Sequence, residues 1–182
     1  MKLVETHKGN PALIELFESY VEEMLSYVDR TDQKYQAIKA ADILSDYWSQ
    51  EKVWAYLIKV EAKFAGFCLL RKYPTEEDTV DIDQFFVLKC YRRNGIGALA
   101  LREALARHPG SWLIRVLKTN TTACRFWVDA VEESIGKSYR LIDEQEGRLF
   151  IRFTTNPVKI WSGAHSVPVK IDFPARGYVR IK

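Results

Sequence analysis

Residues 80–117 carry the pattern that most limits what this chain can fold into. VDIDQFFVL and SWLIRVL are rich in β-branched and aromatic residues and read as strands. Between them GIGALALREALARH has the 3.6-residue period of an amphipathic helix. Ile96, Leu99, Ala100, Leu101, Leu105 and Ala106 form its expected inner face, and Pro109-Gly110 its stop. A strand, a glycine-rich loop, a helix and a strand in direct succession require an α/β fold, with helices packed on a sheet.

The flanks extend this unit. Asn10-Pro11 is a helix start, an N-cap followed by proline at the first helical position. Leu13, Ile14, Phe17, Tyr20, Val21, Met24, Leu25 and Val28 then recur as one apolar stripe. Residues 33–49 give a weaker second helix ending near Tyr47-Trp48. VWAYLIKV and FAGFCLLRKY read as a hairpin across EAK, and YPTEEDT as a polar loop. After SWLIRVL, Thr121 or Thr122 is expected to cap a helix through CRFWVDAVEES, closed by Gly136. SYRLIDE and RLFIRFTT are the last two strands. The predicted order is helix, helix, three strands, helix, strand, helix, two strands, around a mixed sheet.

The length, 182 residues, suits one domain with a sizeable core. No apolar run approaches the ~20 residues that span a bilayer. MKLVETHKGN has no apolar signal core, so a cytoplasmic protein is expected. Cys68, Cys90 and Cys124 are odd in number and form no CxxC pair, and the three histidines are isolated; no metal site is expected. The net charge of +3 is uneven: Thr154–Lys182 holds five basic residues and one acid. We divide the chain into a domain over 1–154 and a basic extension over 155–182. The extension adds an edge strand, covers the site or packs on a partner subunit.

The loop before the central helix raises a choice of ligand. Gly95-Ile96-Gly97-Ala98-Leu99-Ala100 matches the dinucleotide pattern GxGxxA. Six residues, Lys89 to Asn94, separate it from FFVL, however, and no carboxylate stands near Leu117–Asn120 to hold a ribose. Arg92-x-x-Gly95-x-Gly97 instead makes a set of backbone N–H groups at a helix N-terminus, suited to pyrophosphate, with arginine charge beside it.

Here the chain resembles a known family. Arg92-Arg93-Asn94-Gly95-Ile96-Gly97 is similar to the Q/R-x-x-G-x-G/A motif of the GCN5-related N-acetyltransferases, the GNAT superfamily. FFVLKCYR resembles the strand and exit before that motif, and Asn120-Thr121-Thr122-Ala123-Cys124-Arg125-Phe126-Trp127 resembles the family's second cofactor motif. The resemblance covers residues 1–154. It implies a mixed, largely antiparallel sheet of six or seven strands flanked by helices, its fourth and fifth strands splayed. Acetyl-CoA is the implied co-substrate, with no metal. Phe86, Val87 and Leu88 would hold the pantetheine arm and the acetyl carbonyl through their backbones. Arg92, Arg93, Asn94, Gly95, Ile96, Gly97 and Ala98 would wrap the pyrophosphate. Asn120, Ala123, Phe126 and Trp127 would contact the arm.

The implied reaction moves an acetyl group from a thioester to an amine, which needs a base. The candidates are Asp83 first, then Asp81, and Gln84 by positioning a water. The chain departs from the family at Trp127, where many members have a tyrosine that protonates the leaving thiolate. An indole N–H is no usable acid, so water, Cys124 or Tyr139 would supply that proton. The acceptor is a small-molecule or protein amine, and the chain a monomer or homodimer. Two other readings stay open: a non-catalytic acyl-CoA-binding or sensing module, and a nucleic-acid-associated protein suggested only by the basic tail.

Overall fold

A computed structural model describes residues 1–27, 38–144 and 147–155. Seven strands form one sheet: β1 (Lys2–Glu5), β2 (Val53–Val60), β3 (Lys63–Tyr73), β4 (Glu76–Val87), β5 (Gly110–Leu117), β6 (Tyr139–Glu144) and β7 (Arg148–Thr155). Their order is β1-β2-β3-β4-β5-β7-β6. Every neighbouring pair is antiparallel except β4–β5. Among the described residues four α-helices flank it: α1 (Pro11–Met24), α2 (Ala40–Trp48), α3 (Ile96–Arg107) and α4 (Thr121–Ile135). None is long and apolar enough to cross a membrane.

The parallel pair follows from the central helix. α3 carries the chain from the end of β4 back to the start of β5, as parallel strands require. Its buried residues are Ile96, Ala100, Leu101, Ala104 and Leu105. Leu99, placed on the inner face by the sequence, is 42% exposed, and Ala106 is exposed. The 100/101/104/105 stripe is the true 3.6-residue face, and 99 and 106 lie off it. α3 and α4 cover one face of the sheet, over Leu70, Ile82, Trp112 and Ile151. α1 and α2 cover part of the other, over Leu57, Phe67, Leu69 and Phe86.

Local signals account for most boundaries. The Asn10 side chain accepts from the Ala12 and Leu13 N–H groups and starts α1. Asn120, rather than Thr121 or Thr122, caps α4 through the Ala123 N–H. YPTEEDT is not a loop: only Pro74-Thr75 turn, and Glu76–Thr79 belong to β4. Pairing with β3 and β5 overrides the poor strand propensity of those acids, while Arg152 binds Glu76 at 2.8 Å. β1 was absent from the sequence reading because four residues are too few for periodicity to show. The second helix is Ala40–Trp48; residues 33–37 of that expected segment lie outside the described residues, as do Val28 of the first apolar stripe and the extension from 156 onward.

Candidate active site

β4 and β5 pair only over their first halves. Thr79–Ile82 lie beside Ser111–Ile114, and beyond that Asp83–Val87 and Arg115–Leu117 have no mutual register. β5 stays with β7 to its end, through Leu117 opposite Arg148. β4 stays with β3, but the register slips so that Leu69 faces Gln84 and Leu70 faces Ile82. Asp83 is the extra residue, a bulge that bends β4 where the two strands separate. The bulge shifts the alternation of side chains along this strand by one residue. Ile82, Phe85 and Val87 pack toward α3 and α4, and Gln84 and Phe86 toward α1.

The opening is a cleft of about 410 Å³. Asp83, Gln84 and Phe85 line one wall, Arg115, Val116 and Leu117 the other, with Tyr20 and Met24 of α1 and Asn120, Ala123 and Trp127 of α4 around them. Leu88 donates its N–H to the Ala65 carbonyl at 2.8 Å and accepts from Tyr91. Its N–H is therefore not available to a ligand. Alternation along the ladder turns the backbone groups of Phe85 and Val87 toward the opening instead. Gly66 is required behind this edge, since a Cβ there would stand 2.0 Å from the Phe86 carbonyl oxygen.

Beyond the cleft, β4 runs on into the glycine loop. Arg93 and Gly95 both have positive φ, 61° and 71°. Glycine adopts this freely; arginine does so at a cost, as strained loops at binding sites do. Gly95 is the N-cap of α3 and provides no capping side chain. The first intrahelical bond runs from Leu99 to the Gly95 carbonyl. The amides of Ile96, Gly97 and Ala98 are thus the uncapped donors of the helix start, with the positive end of its dipole behind them. Gly97 is packed close: a Cβ would meet the Phe126 ring at 2.8 Å. Phe126, Trp127 and Phe85 form one aromatic cluster, with centroid separations of 4.9–6.1 Å.

The two arginines of the loop part company. Arg92 turns inward: Nη1 and Nη2 bind Glu23 at 2.9 and 2.8 Å, Nε donates to the Val87 carbonyl at 2.6 Å, and the guanidinium lies over the Phe86 ring. It ties the end of β4 to α1, so its side chain is not the free phosphate ligand the sequence suggested. Arg93 is exposed and, among the described residues, has no hydrogen-bond or ion-pair partner. Asn94 folds back on the Arg92 carbonyl at 3.3 Å.

The carboxylates flank the point where β4 and β5 separate. Asp81 is fully buried and bridges Arg71 at 3.0 Å and Arg115 at 2.6 Å. Asp83 is further out, 3.1 Å from Arg71 and 3.6 Å from Arg115, with its side chain 10% exposed. Burial pushes the Asp83 pKa above the ordinary carboxylate range; the two arginines oppose this and the Asp81 charge adds to it. Tyr20 donates to the Gln84 side chain. Burial and the Asp83 charge raise the Tyr20 pKa, so it stays a neutral donor. Tyr139 is not brought to this group. It starts β6, donates to Glu132 at 3.3 Å, and does not line the cleft. Cys124 is buried behind the wall, with its thiol pKa raised by that burial. Among the described residues no group of three or more His, Cys, Asp and Glu side chains could hold a metal.

Sequence reasoning missed Glu23, Arg71, Arg115 and Arg148. Arg115 had a visible signal, a charge in the middle of the apolar run SWLIRVL. The others come from separate elements and become neighbours only through the sheet.

A family model for the acetyltransferase (GNAT) family matches residues 5–129, more than half of the chain. The chain belongs to the GNAT acetyltransferase family. GNAT structures share its fold at low identity. A Bacillus subtilis acetyltransferase in complex with CoA is 13% identical at a TM-score of 0.58, covering 85% of this chain and 99% of that one. Tetrahymena GCN5 is 11% identical at 0.58, covering 88% and 100%. An Elizabethkingia anophelis GNAT acetyltransferase with acetyl-CoA bound is 14% identical at 0.56, covering 84% and 97%. No curated protein matches the sequence.

Proposed function

We propose that this GNAT protein binds acetyl-CoA in the β4–β5 cleft and acetylates a primary amine by direct attack within a ternary complex. One observation carries the reading: the stretch Asp83–Val87, unpaired on its β5 side, runs from a carboxylate of raised proton affinity to the loop before an uncapped helix N-terminus. The residues fit the co-substrate. Uncapped amides at Ile96, Gly97 and Ala98 suit a pyrophosphate, with Arg93 as the free cation. The Phe85 backbone and the Val87 N–H, on the edge that faces β5, suit the amides of a pantetheine arm, as an added strand would; the Val87 carbonyl is already taken by Arg92. Solved GNAT structures with CoA or acetyl-CoA support this assignment.

Acetyl-CoA supplies the acetyl group as a thioester; the chain's residues handle orientation and protons. Asp83 accepts the proton of the incoming ammonium, directly or through a water held with Gln84 and Tyr20. Its raised pKa makes it a better base than an exposed carboxylate. The Val87 N–H is the oxyanion donor we assign. Trp127 closes the apolar wall and contributes no proton, so solvent protonates the thiolate. An ordinary thiol has a pKa of about 8.5, which makes that step undemanding. We place the activity in the cytoplasm, on a monomer or homodimer.

The test is CoA-thiol release with an amine panel. Wild type should turn over at least one amine, and Asp83→Asn should lower kcat by roughly 10²–10⁴. Tight acetyl-CoA binding with no turnover above background for any amine would instead establish the non-catalytic sensing module that Trp127 suggests.

A further inference from the structure

Asp83 and Gln84 are consecutive, and on a regular strand their side chains would leave opposite faces of the sheet. The bulge at Asp83 changes this. Asp83 reaches Arg71 at 3.1 Å, and Arg71 follows Phe67 and Leu69 at alternate positions of β3, on the face that α1 and α2 cover. Gln84 meets Tyr20 of α1 on that same face. The two side chains therefore lie side by side, and the Gln84 amide hydrogen-bonds the Asp83 carboxylate.

Tyr20 closes this chain at its far end, its hydroxyl donating to Gln84 Oε1. The Tyr20 ring is wedged among Phe17, Phe67 and Phe86, with centroid separations of 5.4–5.8 Å, which fixes where the hydroxyl points. A side-chain amide has one donor end and one acceptor end. An ionised carboxylate only accepts, so Nε2 belongs on Asp83 and Oε1 on the Tyr20 hydroxyl. The opposite orientation would set Oε1 against the carboxylate oxygens. The three groups form one directed chain. The other groups that face Asp83 are Arg71, Arg115 and Asp81 on the strands and Tyr47 of α2.

We infer that, on the proposed acetyltransferase reading, Tyr20 is a positioning residue for the base: by holding Gln84 Oε1 it keeps the Gln84 Nε2 donor on Asp83 and gives the carboxylate one fixed direction. Tyr20 acts through Gln84 and takes no proton; the ammonium proton still goes to Asp83. Without the Tyr20 hydroxyl the amide is free to turn over, and Asp83 loses a donor that favours its ionised form. The base is then ionised only at higher pH.

The experiment is the pH profile of kcat by CoA-thiol release, at saturating acetyl-CoA and amine, on variants that melt cooperatively. Wild-type kcat rises with pH as Asp83 loses its proton. Tyr20→Phe should rise at higher pH, so that below the wild-type midpoint it keeps a roughly threefold smaller share of its own plateau than wild type does. Gln84→Met should shift the profile in the same direction, and the double variant should shift no further than Gln84→Met alone, since the chain is already broken. Tyr47→Phe is the control: it removes another buried hydroxyl on this face, one that donates to the Leu70 carbonyl at 3.0 Å, and should lower Tm while keeping the wild-type profile. An unmoved profile in Tyr20→Phe, an equal movement in Tyr47→Phe, or additive shifts in the double variant would overturn this inference and leave the acetyltransferase reading intact. If Tyr20→Phe does not fold, Gln84→Met decides, and an unmoved profile there would overturn the inference. A wild type that turns over no amine would overturn both.

Discussion

Asp81 and Asp83 are two residues apart, touch the same two arginines, and should respond to mutation in opposite ways. Asp81 has no exposed surface and accepts from Arg71 Nε at 3.0 Å and from Arg115 at 2.6 and 3.2 Å. Both arginines are largely buried, their side chains 15% and 20% exposed. Asp81→Ala therefore strands two guanidinium groups near one another in a low dielectric. Removing one partner from a buried pair costs about 3–5 kcal/mol, and Asp83, held at 3.1 and 3.6 Å, recovers only part of it. For a domain of this size 1 kcal/mol moves Tm by about 2–4 °C, so a fall on the order of 10 °C is expected. Asp83→Asn leaves Asp81 in place and should not lower Tm at pH 7. Its loss should be in turnover. Thermal melts followed by circular dichroism, paired with CoA-thiol release, separate the two. An Asp81→Ala protein as stable as wild type would refute the structural role, and an Asp83→Asn protein with full activity would refute the catalytic one.

The pH dependence of stability should differ between wild type and Asp83→Asn. A carboxyl whose folded pKa is raised stabilises the fold below its unfolded pKa of about 3.9. That contribution is lost as pH rises through the folded value. The variant should therefore gain on wild type as pH rises, and melts from pH 4 to 8 will show whether the gap opens in that direction. Over the same range wild-type kcat should rise with pH through the Asp83 titration, and a flat profile would count against Asp83 as base. Gly97→Glu puts a side chain 2.8 Å from the Phe126 ring and an anion beside the uncapped amides. Acetyl-CoA affinity should fall by at least ~100-fold, checked by titration calorimetry on a variant confirmed as folded. Glu23→Gln weakens a partly buried bidentate pair with Arg92 and should cost about 1 kcal/mol, read as a small drop in Tm.

The fold was largely legible because its elements are strongly patterned. Asn10-Pro11, the 3.6-residue run after Gly95 and the apolar strands gave the element order in advance, apart from the four residues of β1. The glycines of the loop were legible, since Gly95 answers a positive φ and Gly97 a close approach to Phe126, whereas nothing in the sequence marks Arg93 for its positive φ. What could not be read was pairing. Arg92 looked like a phosphate ligand until Glu23, 69 positions earlier, proved to occupy it. The faces of β4 could not be read, because a bulge shifts alternation by one residue and nothing in VDIDQ marks where it falls. The sequence ranks Asp83 ahead of Asp81 as a base but does not show the different contacts that separate their roles. Only the positions of Arg71 on β3 and Arg115 on β5 make one a structural anchor and the other a candidate base.

The central claim is that the gap between β4 and β5 is an acetyl-CoA site. Titration calorimetry of the wild-type protein with acetyl-CoA, repeated with Gly97→Glu, tests it most directly. The structure predicts saturable binding at one site per chain, lost in the variant. No heat of binding at millimolar acetyl-CoA, or equal affinity in the two proteins, would contradict it.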